Sequence, residues 1–196
     1  MTGKDLTRGV YGAWELACFN RHGIQLFENT LDGFWRSFRA ALLCAPLYTF
    51  LILTRSLEIK TNAGGITSSV IYSISYVISW FAFPYAIYHV SRILDRQSHY
   101  FRYISAYNWG TVIQLSALLL VSLITYSQLL PQTITLGLTL TVIFGIFIYK
   151  GFIAHVGLEI SRGPAFALVI LDFILALIFE SWTLRLLQAQ PINSTG

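Results

Sequence analysis

The chain has 196 residues, 55% hydrophobic and only 11% charged, where soluble domains carry about 25% charged residues; a water-soluble fold of this size cannot hide so much apolar surface. The net charge of +4 comes from basic residues scattered at the ends of apolar segments, without a patch interleaved with aromatics, which argues for membrane orientation and against nucleic-acid binding. Two cysteines, Cys18 and Cys44, with no CxxC pair and no histidine at metal spacing, argue against a disulfide framework or a zinc site.

No Asp, Glu, Lys or Arg occurs between Lys60 and Arg92 or between Arg102 and Lys150, stretches long enough for membrane spans. The first 30 residues carry charges throughout, unlike a cleaved signal peptide. Within residues 1–37, Leu6, Val10, Trp14 and Ala17 recur at helical spacing opposite Lys4, Arg8, Glu15 and Arg21. This describes an amphipathic helix, which either lies on the membrane surface through Leu6, Val10 and Trp14 or packs on its own bundle. A second such piece, Phe27 to Phe38, leads past a break at Asp32-Gly33 into the bilayer.

Five spans follow, at about 38–57, 66–90, 107–130, 134–156 and 165–187, with 188–196 as a short tail. The predicted fold class is therefore all-α, a polytopic helical membrane bundle preceded by an amphipathic segment. The first span is short, because 15 uncharged residues separate Arg39 from Arg55, so both arginines must snorkel or the bilayer must thin. Pro131, flanked by Gln128 and Gln132, ends the third span, and Ser161-Arg162-Gly163-Pro164 forms the last turn. With this threading ten basic residues (Lys4, Arg8, Arg21, Arg36, Arg39, Arg92, Arg96, Arg102, Lys150 and Arg162) fall on the N-terminal side and three (Arg55, Lys60 and Arg185) on the other. Basic residues resist translocation, which predicts a cytoplasmic N-terminus, an external C-terminus and a bacterial inner membrane location. The Asn193-Ser194-Thr195 sequon then lies outside and reads as a chance match.

Small side chains line two spans. Ser68, Ser75, Ser79, Ala82 and Ala86 share one face of the second, and Gly137, Thr141 and Gly145 recur every four residues in the fourth. Both patterns read as helix-packing stripes or, functionally, as a substrate groove. Gln114, mid-span on a face with Gly110 and Ala117, is expected to bond to a neighbouring helix. Charges inside spans are costly and face a partner or a cavity. In or beside the fourth and fifth spans the informative residues are Lys150, His155, Glu159, Arg162 and Asp172. Antiparallel packing puts Lys150 and Asp172 within roughly 4.5 Å in depth, and His155 and Glu159 form an i,i+4 pair. The cluster reads either as an ion-paired clasp of the last helical hairpin or as a proton or cation relay opening to the cytoplasm. Glu180, farther along the fifth span near Trp182, lies about 80° around the helix from Asp172, a poor alignment for a relay.

No serine elbow, HExxH, phosphate loop, carboxylate cluster or dinucleotide fingerprint occurs. The sequence is accordingly read as a non-enzyme without cofactor or metal.

Phe34-Trp35-Arg36-Ser37-Phe38 ahead of the first span, Pro84 in the second, the basic Arg92-to-Arg102 linker and Ser161-Arg162 before the fifth resemble the Yip1-like family of five-span membrane proteins and its bacterial relatives over about residues 34–187. That resemblance implies a cytoplasmic N-terminal segment, five closely spaced spans, and a role in organising membranes or assisting other membrane proteins. The Asp-Leu-Tyr-Gly-Pro type motif of the eukaryotic trafficking members has no counterpart here, so no partner-binding residue carries over. The expected function is a membrane scaffold or accessory subunit whose partners are the bilayer and another membrane protein or a second copy. The alternative is a small transporter or channel subunit using the intramembrane cluster.

Overall fold

The computed structural model describes residues 3–56 and 65–189, and side chains over 5–53 and 65–189. Arg55, Lys60, Asn62 and the sequon at 193–195 lie outside the residues whose side chains are described.

Helix α1, Gly3–Ala17, ends where Phe19 turns left-handed at a φ of 59°. There the amides of Cys18 and Asn20 reach back to the carbonyls of Trp14 and Glu15, satisfying two of the groups that a helix end orphans. Asn20 then caps a 3-10 turn, Arg21–Leu26, its side chain accepting from the His22 amide at 3.0 Å. Helix α2, Leu31–Ser37, starts on Thr30, whose hydroxyl accepts from the Gly33 amide at 3.1 Å, with Asp32 in the first turn where the helix dipole favours it. The break expected at Asp32-Gly33 is thus the first turn of a helix. Gly33 is needed there for space, since a Cβ would stand 2.9 Å from the Glu28 carbonyl oxygen.

Phe38 joins α2 to α3, Arg39–Ser56, and α4 (Gly65–Ile93), α5 (Tyr100–Ser127), α6 (Gln132–Gly157) and α7 (Arg162–Gln188) follow. Five stretches, beginning at Leu31, Gly65, Gln97, Gln132 and Arg162, are long and apolar enough to cross a membrane. The third starts well before residue 107. Its first two turns, with Tyr100, Tyr103 and Ile104 buried, pack on the N-terminal segment, so they lack the unbroken apolar run that marks a span. Between α6 and α7 only Ser161 of the expected turn stays outside the helices. Arg162-Gly163-Pro164 form the first turn of α7, where proline has no needed N–H to lose.

Helix α5 is the hub: α1, α2, α3 and α6 all pack on it, and α7 closes on α6 and α4. Helix α1 docks through Leu6, Gly9, Val10, Ala13 and Leu16, leaving Tyr11 and Trp14 outward, Trp14 57% exposed. The three residues expected on the membrane surface therefore divide: Leu6 and Val10 lie against the core, and only Trp14 faces out. Tyr149 of α6 fastens the segment by donating to the Ala13 carbonyl at 2.8 Å. Arg39 and Arg36 meet Asp5 at 3.0 and 3.8 Å, and Arg8 and Arg36 meet Glu28. These pairs are a third or more exposed, so each contributes at most about 1 kcal/mol.

The two small-residue stripes also part company. Ser75 is buried and accepts a 2.8 Å hydrogen bond from Thr183 of α7, whereas Ser79 is exposed and bonds within its own helix to the Tyr76 carbonyl. Gly137, Thr141 and Gly145 face out of the bundle, and nothing lies within 4 Å of a Cβ built at either glycine. The reason is rotational, because α6 turns Thr135 and Ile153 toward the core, and Gly137, Thr141 and Gly145 lie roughly 160°, 120° and 80° around the helix from them. Packing of this stripe on another helix is not found among the described residues.

Gly9 is the tightest point of the α1 docking, where a Cβ would stand 2.3 Å from the Trp109 ring. Overpacking of this kind costs roughly 1–3 kcal/mol. Gly9→Leu is expected to lower the melting temperature in detergent and open α1 to protease, while Tyr11→Leu, on the outward face, changes neither.

Candidate functional site

The centre of the bundle formed by α3 to α7 holds an ion pair. Lys150 Nζ on α6 lies 2.5 Å from Asp172 Oδ2 on α7, with the two side chains 19% and 10% exposed. Tyr107 of α5 donates its hydroxyl to the other carboxylate oxygen, Oδ1, at 2.7 Å, and the Lys150 ammonium sits 5.6 Å from the Tyr107 ring centroid. Both carboxylate oxygens thus have charge-assisted partners, and the cation also has an aromatic face. Three helices are tied by one knot.

The knot forms the floor of a partly enclosed cavity of about 550 Å³. Helices α3 to α7 all contribute to its wall, including Tyr48 of α3, Ser79 and Trp80 of α4, Lys150 of α6 and Phe179 of α7. From the level of Tyr107 and Asp172 it extends along α7 past Ala176 to Glu180, Thr183 and Leu184, about 18 Å at 1.5 Å per residue. This direction leads away from the end that carries α1 and α2. A relay opening toward the N-terminal end, as the sequence suggested, would instead meet the packed layer of Phe83, Tyr103 and Ile104. Asp172 and Glu180 both line the cavity despite their angular offset, since the void is wide enough to reach both faces of α7.

The four-residue cluster expected from sequence falls at three places: Lys150 with Asp172, His155 beside Arg21, and Glu159 beside Arg102. Helix α6 stops at Gly157, where a Cβ would press 2.9 Å against the Tyr103 ring, and Glu159 turns left-handed at a φ of 55°. The i,i+4 pairing of His155 with Glu159 is thereby lost. Glu159 swings to Arg102 at 2.7 Å and His99 at 3.6 Å. The Arg102 hydrogen bond, aided by the charges of His99, Arg102 and Arg96 and opposed by slight burial, holds the Glu159 carboxyl below the usual carboxylate range. His155 instead has Nδ1 2.6 Å from the Ile160 carbonyl and Nε2 3.0 Å from Arg21 Nη2. A carbonyl only accepts and a guanidinium only donates, so the ring is the neutral Nδ1–H tautomer, pinning the 3-10 turn to the α6–α7 loop.

Sequence reasoning missed Tyr107 and Asn108. A signal was present, because Tyr107, Thr111 and Gln114 stand at i, i+4 and i+7 on one face of α5. Gln114 is buried, as expected of a residue facing a neighbour, but its Nε2 has no partner among the described residues. Asn108 is wholly buried, with Nδ2 donating to Ser37 Oγ at 2.8 Å and Oδ1 unpartnered.

Comparison with known proteins returns no relative: no family model, curated protein or solved structure matches this chain.

Two measurements follow from this geometry. Removing one member of a buried pair leaves an uncompensated charge, at roughly 3–5 kcal/mol. Lys150→Met and Asp172→Leu are each expected to lower detergent stability strongly, with the double variant recovering most of the loss in a thermal melt; additive losses contradict the pairing. For Glu159 the folded carboxyl titrates below its unfolded value. Its contribution is therefore full above the ordinary carboxylate range and disappears as pH falls through the depressed pKa. Glu159 is 56% exposed, so Glu159→Gln is expected to cost under about 1 kcal/mol at neutral pH, and nothing in acid.

Proposed function

We propose that this chain is a non-enzymatic membrane-organising scaffold or accessory subunit of the Yip1-like kind. It sits in a bacterial inner membrane with its N-terminus in the cytoplasm and its C-terminus outside. The observation that carries this reading is the closed state of the intramembrane charges: Lys150, Asp172 and Tyr107 satisfy one another and bind α5, α6 and α7 together. Such a knot fixes a shape. The outward small-residue face of α6 and the outward Trp14 fit a protein that works through helix contacts and the membrane surface, with another membrane protein or a second copy as partner. The ten-to-three excess of basic residues supports the orientation.

A second reading, a small transporter or channel subunit, is favoured by one observation: Lys150 and Asp172 line a cavity rather than solid core. Reporter fusions after Asn62, Gln97, Gln132 and Gly196 are expected to report out, in, out and out, and a cytoplasmic C-terminus would contradict the five-span orientation. Purification in mild detergent is expected to yield a stoichiometric membrane partner or a homo-oligomer. Proton flux in liposomes that is lost in a stably folded Asp172→Asn variant would replace the scaffold reading with transport.

A further inference from the structure

Along α4 one outward stripe changes character in a fixed order. Ile74, Val77 and Phe81, then Tyr85 and Tyr88, then Arg92 are all exposed, and at 3.6 residues per turn they fall within about 80° of one another. From Phe81 to Arg92 the stripe covers roughly 16 Å at 1.5 Å per residue. Apolar side chains, then amphipathic rings, then a cation is the order in which a leaflet presents acyl tails, interface and phosphate. A second aromatic wall stands beside it: Phe38 stacks on Phe81 with centroids 5.0 Å apart, and the outward Trp35 meets Phe38 at 5.7 Å. His89 lies edge-on to Tyr85 and Tyr88, at 4.9 and 5.4 Å.

Most cations near this end are already committed. Arg36 and Arg39 pair with Asp5 and Glu28, Arg21 meets His155, Arg102 holds Glu159, and Arg96 adds its charge to that same carboxyl. The Arg92 side chain has no ion pair or hydrogen bond among the described residues, and neither do the hydroxyls of Tyr85 and Tyr88. Asp95, the nearest carboxylate in sequence, follows in a left-handed turn at a φ of 55° and does not pair with Arg92. Helical side chains lean toward the N-terminus of their helix, which directs Arg92 back over Tyr88 toward the apolar part of the stripe. Three uncommitted donors, one of them charged, thus stand on one face within two turns. A guanidinium fork with flanking hydroxyls suits a phosphodiester. A neighbouring helix is a poor fit, since close helix approach in membranes uses small residues and this stripe is built of large ones. We infer that the stripe binds one anionic phospholipid of the surrounding bilayer, its phosphodiester on Arg92 and the hydroxyls of Tyr85 and Tyr88, its acyl chains along Phe81, Val77 and Ile74. The site rests on the reading that α4 crosses a bilayer, and on neither the scaffold nor the transporter reading.

The test places the full chain in phosphatidylcholine vesicles containing either a phosphatidylglycerol or a phosphatidylcholine probe, each with the same acyl diazirine near the ester, and maps the crosslinks by peptide. The anionic probe is expected to label the segment from Phe81 to Arg92 about fivefold more than the zwitterionic one, the contribution of one basic residue at an anionic surface. Arg92→Gln is expected to bring the two probes within about twofold of each other at an unchanged melting temperature, because the side chain has no partner to lose. Arg162→Gln, which removes another exposed cation from the same end, leaves the preference intact. The double change Tyr85→Phe with Tyr88→Phe keeps the rings and removes the hydroxyls, and is expected to lower labelling by the anionic probe at least about twofold. Equal labelling by the two probes in the parent chain, or a preference that survives Arg92→Gln, would overturn the site. Protection of α4 from both probes while the outward face of α6 is labelled would mean that protein covers the stripe, which also overturns it. Absence of labelling on every helix would instead remove the membrane-spanning reading, and the site with it.

Discussion

Everything in this fold is arranged around one costly act, the placement of an ammonium and a carboxylate among apolar helices. Charges in such surroundings persist only when paired and fully hydrogen-bonded. The chain pairs them with three residues on three helices, Lys150 on α6, Asp172 on α7 and Tyr107 on α5: both carboxylate oxygens are bonded, and the ammonium has a carboxylate oxygen and an aromatic face. The loop between α6 and α7 is short, so the pair also fixes the register of the two helices it joins. Membrane helices gain little from apolar contact with each other because lipid is equally apolar, which makes specific polar contacts unusually informative about how a bundle is held.

A second layer of order sits at the N-terminal end. Helix α1 and the 3-10 turn are seated on α5 and α6 by glycines that admit close approach, by the Tyr149 bond to the Ala13 carbonyl, and by the Arg21 contact with His155. This end of the bundle is therefore solid, with Phe83, Tyr103 and Ile104 packed beneath the ion pair, while the other end is hollow. The asymmetry gives any ligand or ion one direction of access to the knot.

The number of long apolar helices was legible because charge-free runs of that length have one common explanation, and the depth match of Lys150 with Asp172 followed from the 1.5 Å rise alone. What periodicity could not reach was rotation. The Gly137-Thr141-Gly145 stripe looks the same whether it meets a helix or faces outward, and its direction is set by where Thr135 and Ile153 find the core. The i,i+4 reading of His155 and Glu159 failed for a local reason, since α6 ends at Gly157 and Glu159 turns left-handed, out of helical register with His155. The early start of the third helix was hidden because its first turns pack on protein and carry tyrosines and an arginine in place of an apolar run. Of the cavity, the groove alternative for the second-span stripe was legible, since Ser75, Ser79 and Ala82 line it; its extent was not, because a void is a property of five helices together.

The central claim is that Lys150 and Asp172 form a standing ion pair in the interior of the helical bundle. The chain's other lysines are Lys4 and Lys60, and replacing both with arginine leaves Lys150 as the sole lysine. Solid-state NMR on the protein in lipid bilayers, with ¹⁵N-lysine and ¹³C-labelled aspartate, then measures the dipolar coupling between the ammonium nitrogen and aspartate carboxylate carbons. The account predicts strong dephasing from hydrogen-bond contact, as the 2.5 Å Nζ to Oδ2 distance requires, abolished by Asp172→Asn labelled in the same way. A lysine nitrogen that shows no such coupling, with Asp172 intact, would contradict it.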